Sequence, residues 1–312
     1  LTLDGSLIVF AYYLEENGDH TGADVWGVAF QPLEHDIAGD DSAGEHDDII
    51  DMGDFLHISA SASLEFQFLN LPSGNFLGVA LGTEDAGVIM TGQDLNVTAD
   101  GSKVSGGSDP TDEINTSQAA PGPLATAGVN NQHFDPGNFA VFTLVEGFSP
   151  LGAGPSTTFQ NINAIDYDGY INTTGASILL SQVQGSPKNI PDLTITVWEA
   201  GGGTTPEEGL AYIGAENGND GTSGAFEDDD PINVQTVTVY DDMMAVVGTW
   251  DLGVTNGTTI GGVTVTITGN SIDVDDLPVL HTVAWTTNGD TFNRFRVSSD
   301  EGVWDVGKIT LD

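Results

Sequence analysis

The sequence contains no cysteine, and only five of its 312 residues are lysine or arginine. Without cysteine the chain has neither disulfides nor thiolate metal sites. The scarcity of basic residues excludes nucleic acids and anionic membrane surfaces as partners, because both are bound through lysine and arginine. No apolar run reaches the roughly 18 residues that a membrane-spanning helix needs, so we expect no membrane insertion.

Recognisable catalytic motifs are also missing from the sequence. It contains no GxSxG elbow, phosphate-binding loop, dinucleotide fingerprint or HExxH pair, and its six histidines have no metal-ligand spacing. Two carboxylates can hydrolyse a glycosidic bond, but 47 acidic residues make some such pair unavoidable and therefore uninformative. With five basic residues the chain has little to stabilise a developing anion. We therefore expect that the protein is not an enzyme, and a secreted hydrolase is the weakest alternative.

Acidic residues dominate what the sequence does contain. Its 47 acidic residues give a formal net charge of -42, and aspartate outnumbers glutamate by 33 to 14. The aspartates cluster with Gly, Asn and Ser in turn-like segments, where a short carboxylate can meet a metal ion beside backbone carbonyls. This pattern favours cation-binding turns over a purely halophilic surface, although the two can coexist. A compact chain of this charge repels itself, so bound cations or high salt should stabilise it.

The hydrophobic pattern predicts an all-β protein. Apolar and polar residues alternate in segments rich in Thr, Val, Ile and aromatics, and Asn-Gly and Asp-Gly pairs supply hairpin turns. We expect two or more β-sandwich or jelly-roll-like domains with long acidic loops. The clearest predicted strands are 57–68, 139–145, 193–200, 234–240 and 262–269.

A segment rich in Gly, Pro and Ser at 147–158 interrupts the alternating pattern. It predicts one β-sandwich domain over 1–150 and a second over 151–312, the latter with an acidic junction near 227–231. The glycine-rich segment 201–209 is an alternative boundary, or a long loop within one domain.

Three acidic segments are candidate calcium sites: 228–230, 273–276 and 45–54. The segment 216–227 has the length of an EF-hand loop, but its first and third positions are Glu and Gly, so a true EF-hand is rejected. No lysine or arginine occurs between 227 and 242, and calcium would supply the missing positive charge. The predicted calcium ligands are Asp220, Glu227, Asp228, Asp229, Asp230, Asp273, Asp275 and Asp276.

Several phrases resemble the repeat modules of large bacterial adhesins of the repeats-in-toxin class, which are exported by type I systems. They are "LIVFAYYLEENGD", "VWGVAFQPLEHD" and "GEHDDIIDMGDFLHISASA", then "TSQAA" with "AGVNNQHFDPGNFAVFTLV", the junction "FEDDDP" and the final "DTFNRFRVSSDEGVWDVGKITLD". The nonapeptide glycine-aspartate repeats of that class are absent. The resemblance implies a calcium-stiffened, non-catalytic role in attachment, with Asp228, Asp229 and Asp230 as calcium ligands.

We therefore expect a secreted, extracellular protein of the cell surface, with calcium ions as cofactors and partners. Two other functions stay open. One is a self-assembling filament, sheath, surface-layer or capsid subunit, whose open strand edges pair between copies. The other is a calcium-dependent carbohydrate-binding module, which would bind surface glycans. Its aromatic platform would have to come from tryptophans that otherwise pack in the core.

Overall fold

A computed structural model describes residues 10–16, 23–29, 63–69, 71–83, 85–92, 95, 97–103, 113–117, 125–129, 133–148, 156–183, 190–201, 206–213 and 229–312. The protein is nearly all β, as the alternating pattern predicts. Short 3₁₀ turns occur at Ile162–Ala164 and Gly209–Ile213. In the part of the chain described, no helix is long and apolar enough to cross a membrane.

The chain divides into two compact units, Leu1–Ala60 and Ser61–Asp312. The first contains an antiparallel hairpin formed by β1 (Phe10–Glu16) and β2 (Ala23–Ala29), in which Tyr13 pairs with Trp26.

The second unit contains two large antiparallel sheets. Its strands are β3 (Leu64–Gln67), β4 (Gly74–Phe76), β5 (Gly78–Gly82), β6 (Gly87–Gly92), β7 (Ile114–Ser117), β8 (Thr126–Val129), β9 (Phe139–Glu146), β10 (Ser156–Phe159), β11 (Gly169–Tyr170), β12 (Gly175–Val183), β13 (Asp192–Glu199), β14 (Asp230–Pro231), β15 (Val234–Tyr240), β16 (Val246–Asp251), β17 (Thr259–Ile260), β18 (Val263–Thr268), β19 (Ser271–Asp275), β20 (Thr282–Thr287), β21 (Arg294–Glu301) and β22 (Trp304–Leu311).

The strand order of sheet I is β10-β5-β6-β9-β21-β13-β19-β18-β17, with β11 beside β9 and β14 beside β13. The order of sheet II is β16-β15-β20-β12-β22-β8-β7-β4, with β3 beside β22. The two sheets enclose one continuous apolar core, to which alternate residues of both contribute. Trp250, Trp285 and Trp304 are fully buried in it, as their positions in alternating strands predict.

A smaller apolar cluster covers the outer face of sheet I around β5, β6 and β9. It packs Val141 and Ile89 of the sheet against Phe159, Tyr167 and other residues of the segments that follow β9. Strand β9 is consequently buried on both faces, which explains its continuous apolar sequence FAVFTLV.

The predicted strands agree with the structure, but the domain boundary does not. Strand 234–240 has the predicted bounds, and the others described differ by a few residues; positions 57–62 of the first lie outside the described residues. The division expected between 150 and 151 has to be corrected, because β9 pairs with β21 and β3 pairs with β22. Strands from both sides of residue 150 therefore build the same sheets and one core.

Candidate cation site and buried ion pair

An acidic cluster lies where β13, β19 and β21 run side by side in sheet I. Strand β19 carries Asp273 and Asp275 on its outer face, and the next residue is Asp276. Strand β13 begins at Asp192, and the end of β21 carries Asp300. The strand register brings these five residues together, since Thr194 of β13 pairs with Asp273 on one side and with Ser298 on the other.

The hydroxyl of Thr194 lies between two of these carboxylates. Its Oγ1 is 3.0 Å from Oδ1 of Asp273 and 2.6 Å from Oδ2 of Asp300. A threonine hydroxyl has one hydrogen, so these two carboxylates share a single donor.

The electrostatics at Asp275 reflect the same crowding of negative charge. Partial burial raises its pKa, and the carboxylates of Asp192, Asp273, Asp276 and Asp300 raise it further. Oδ1 of Asp192 also accepts a hydrogen bond of 2.8 Å from the backbone N–H of Asp276, which holds the ends of β13 and β19 together. The cluster is therefore an ordered group of like charges.

The chemistry of this cluster suits a hard cation, but its geometry does not complete a metal site. Carboxylate and hydroxyl oxygens are the ligands that calcium and magnesium prefer. Calcium takes six to eight oxygens, whereas no three acidic or histidine side chains among the described residues converge closely enough to hold a metal. Asp273 and Asp300, with the Thr194 hydroxyl between them, would hold a calcium ion only with water supplying the remaining ligands.

Three of the four described basic side chains form ion pairs with acids outside the acidic cluster. Lys103 lies 2.6 Å from Glu113, and Lys308 lies 2.8 Å from Glu65. Arg296 lies over the rings of Phe139 and Trp198, at 5.1 and 5.4 Å from their centroids, and it also attracts Asp300 of the cluster. Lys188 is outside the described residues.

The remaining base, Arg294, is the centre of a buried ion pair. It projects from β21 and is fully buried. Its Nη1 donates to Oδ2 of Asp229 at 2.6 Å, its Nη2 to Oε2 of Glu207 at 2.8 Å, and its Nε to the hydroxyl of Thr143 at 3.0 Å. Burial alone would lower the pKa of Arg294, but the two carboxylates raise it above its usual value. One arginine thus ties two loop segments to sheet I.

Tyrosines surround this ion pair. The guanidinium lies 5.5 Å from the ring centroid of Tyr212, whose hydroxyl is 2.9 Å from that of Thr143. Burial raises the pKa of Tyr212 and raises that of Tyr170 to about 12. The Tyr167 hydroxyl donates to the carbonyl of Glu207 at 2.9 Å. These contacts hold the outer layer onto sheet I.

A second buried carboxylate, Asp305 of β22, joins β22 to two other segments. Its Oδ1 lies 2.5 Å from Nδ1 of His133, and its Oδ2 accepts a hydrogen bond of 3.0 Å from the hydroxyl of Thr126. Burial raises the pKa of Asp305, and the two partners oppose that shift.

The predicted calcium ligands that the structure describes lie in three different places. Asp220, Glu227, Asp228 and the candidate segment 45–54 lie outside the described residues. The other five are separated: Asp273, Asp275 and Asp276 belong to the acidic cluster, exposed Asp230 lies in β14 paired with Glu199 of β13, and Asp229 is the buried partner of Arg294.

The placement of Asp229 corrects one expectation. The sequence has no base near 227–242, yet Arg294 supplies Asp229 with the positive charge that calcium was expected to provide. Segment 229–231 also does not link two domains, because β14 is part of sheet I. Sequence reasoning missed Asp192, Asp300, Glu207 and Arg294, since their positions depend on pairing between strands far apart in the chain. Comparison with protein-family models, curated proteins and solved structures finds no match to this chain.

Proposed function

We propose that this protein is a non-catalytic, extracellular structural protein of the bacterial cell-surface adhesin type, stabilised by calcium. The observation that carries the proposal is the acidic cluster of sheet I. Partial burial and the four neighbouring carboxylates raise the pKa of Asp275, and Arg296 attracts Asp300. Aspartate oxygens favour a hard divalent ion, so calcium from solution is the proposed source of balancing positive charge.

The structural role is supported by the buried charged groups, which bond to other protein groups between segments of the fold. Arg294, Asp229 and Glu207 bond to one another under the outer layer, and Asp305 bonds to His133 and Thr126 between strands. These groups stabilise packing between segments of the sandwich. The resemblance to adhesin modules supports an extracellular location, where calcium is available to such loops.

Thermal unfolding tests the proposed role of calcium. We expect millimolar calcium to raise the Tm of the full chain by about 3 °C or more above its value in chelator, because ions that bind only the native state stabilise it. Sodium chloride at the same ionic strength should have a smaller effect. Equal shifts from calcium and sodium would contradict the proposal and support a halophilic surface stabilised by screening alone.

A self-assembling subunit is a second candidate function, which the hairpin between β15 and β16 favours. Strand β16 is an edge strand of sheet II, and apolar side chains at and near it are exposed: Met243 by 80%, Met244 by 59% and Val246 by 60%. An exposed apolar edge is a surface on which another strand can pair. Sedimentation velocity separates the two functions, since a subunit forms larger species as its concentration rises and an adhesin module stays monomeric.

A further inference from the structure

A polar groove lies on the outer face of sheet II, away from the main core and from the acidic cluster. It has a volume of about 290 Å³. Strands β3, β12, β15, β20 and β22 line it, with the turn after β15 and the residue after β22. Its lining residues within the strands are Glu65, Ser177, Tyr240, Thr282, Lys308 and Thr310.

The strand register explains why these residues form one surface. Ser177 of β12 pairs with Thr310 of β22, which pairs in turn with Glu65 of β3. One step along the same face, Tyr240 of β15 pairs with Thr282 of β20. Paired residues in neighbouring strands point to the same side of a sheet, so the groove crosses five adjacent strands.

The groove is rich in hydroxyl groups that form no hydrogen bond with the described residues. Within the described residues, the hydroxyls of Ser177, Thr282, Thr310 and Tyr240 make no hydrogen bond to another protein group. Ser177 and Thr282 are nonetheless only 9% and 5% exposed. Poorly exposed hydroxyls that face a groove are donors and acceptors available to a ligand.

The charges around the groove select against anionic ligands. Lys308 is already paired with Glu65 at 2.8 Å, and Asp312 adds a second carboxylate to the lining. With a formal charge of -42 on the whole chain, an anionic ligand would be repelled. An apolar molecule would leave the hydroxyls without partners.

An uncharged, hydroxylated ligand satisfies each of these conditions. The ring of Tyr240 and the side chain of Met244 give one end of the groove apolar surface, while Glu65, Lys308 and Thr310 make the other end polar. A sugar ring has the same division, with an apolar face and hydroxyls at its edge, and aromatic residues commonly pack on that face. We propose that this groove binds a neutral polysaccharide lying across sheet II.

Affinity electrophoresis of the full chain tests the proposal. Native gels containing galactomannan, mixed-linkage β-glucan or dextran are compared with gels containing anionic alginate and with gels without polysaccharide. We expect at least one neutral polysaccharide to retard the protein, and alginate not to. The experiment is run with calcium and with chelator, so that failure of the calcium proposal is seen separately from failure of the groove.

Two kinds of variant locate the binding. Thr282→Val and Thr310→Val keep the side-chain shape and remove one hydroxyl each, so each should weaken binding about three- to tenfold. Tyr240→Ala should abolish the retardation. Thr266→Val on the outer face of sheet I is the matched control and should bind like the wild type. The proposal is overturned if no neutral polysaccharide retards the protein, if the groove variants bind unchanged, or if alginate is bound in preference.

Discussion

The carboxylate of Asp229 is buried against a guanidinium, whereas that of Asp275 is exposed among four other carboxylates. Both residues belong to the same unit and lie along the same sheet. The difference lies in solvation: a buried acid needs a partner in the protein, because an unpaired charge in the core is very costly. An exposed acid can rely on water and dissolved ions. The fold therefore places a rare arginine at a buried acid and leaves the exposed acids to the solvent.

The largest effect is expected from removing the buried base. Arg294→Met leaves Asp229 buried without its positive partner, so we expect the free energy of unfolding to fall by about 3–5 kcal/mol. Urea unfolding followed by tryptophan fluorescence measures the change. In the double variant with Asp229→Leu, much of the loss should be recovered, because the fully buried carboxylate is removed and Glu207, whose side chain is 19% exposed, can be solvated. A loss below about 1 kcal/mol in the single variant would place this pair with ordinary surface salt bridges.

Asp305 is intermediate between the two cases, since it is buried but has a titratable partner. His133→Ala should cost about 1–3 kcal/mol at neutral pH by leaving that carboxylate with Thr126 alone. The folded-state pKa of Asp305 is raised above its ordinary 3.8. Its contribution to stability is therefore fully present below 3.8 and is lost as the pH rises through the folded-state pKa.

His133 opposes the rise in that pKa, so the loss should extend to higher pH in His133→Ala than in the wild type. Unfolding free energies measured across the acidic range test this expectation. Adding Asp305→Asn to the variant should remove the extra pH dependence. Parallel stability curves for wild type and His133→Ala would contradict the coupling.

The smallest effect is expected at the exposed acid. Asp275→Asn removes one charge from the cluster, so stability at neutral pH and low salt should rise by about 0.2–1 kcal/mol. The pKa of Asp275 is raised in the folded state. Its contribution to the stability of the wild type is therefore fully present below 3.8 and is lost as the pH rises through the folded-state pKa. The variant should show a flatter acidic profile.

The gain from Asp275→Asn should shrink in high salt or calcium, because both neutralise the remaining carboxylates: Asp192, Asp273, Asp276 and Asp300. Asp290→Asn in the β20–β21 connection is the matched control and should change stability little. A loss of stability in Asp275→Asn without added calcium would mean that this carboxylate makes a favourable contact in the fold.

The strands were predictable because their signal is local. In β15 the alternation VQTVTVY and the bounding Asn and Asp are contained in the segment itself. The domain division was not predictable in the same way, because a Gly- and Pro-rich segment looks alike between two domains and within one. Strand pairing across residue 150 distinguishes these cases, and the pairing of β9 with β21 joins residues about 150 positions apart.

The candidate site was also predictable only where its signal is local in the sequence. Composition identified Asp273, Asp275 and Asp276, but Asp192 and Asp300 join them only through the register of β13 with its two neighbours. Arg294 gives no local signal of burial, since it alternates with apolar residues as a surface arginine of a half-buried strand does. Its two acidic partners come from loops that contain no pattern pointing to β21.

The position of β22 has a consequence for how the protein is made. This strand, residues 304–311, lies inside sheet II between β12 and β8, with β3 also beside it, and it buries Trp304, Val306 and Ile309 in the core. The ribosome releases those residues after all three strands that they join. The sandwich cannot close while the chain is still emerging, so its exposed strand edges must be kept apart until synthesis has passed residue 311.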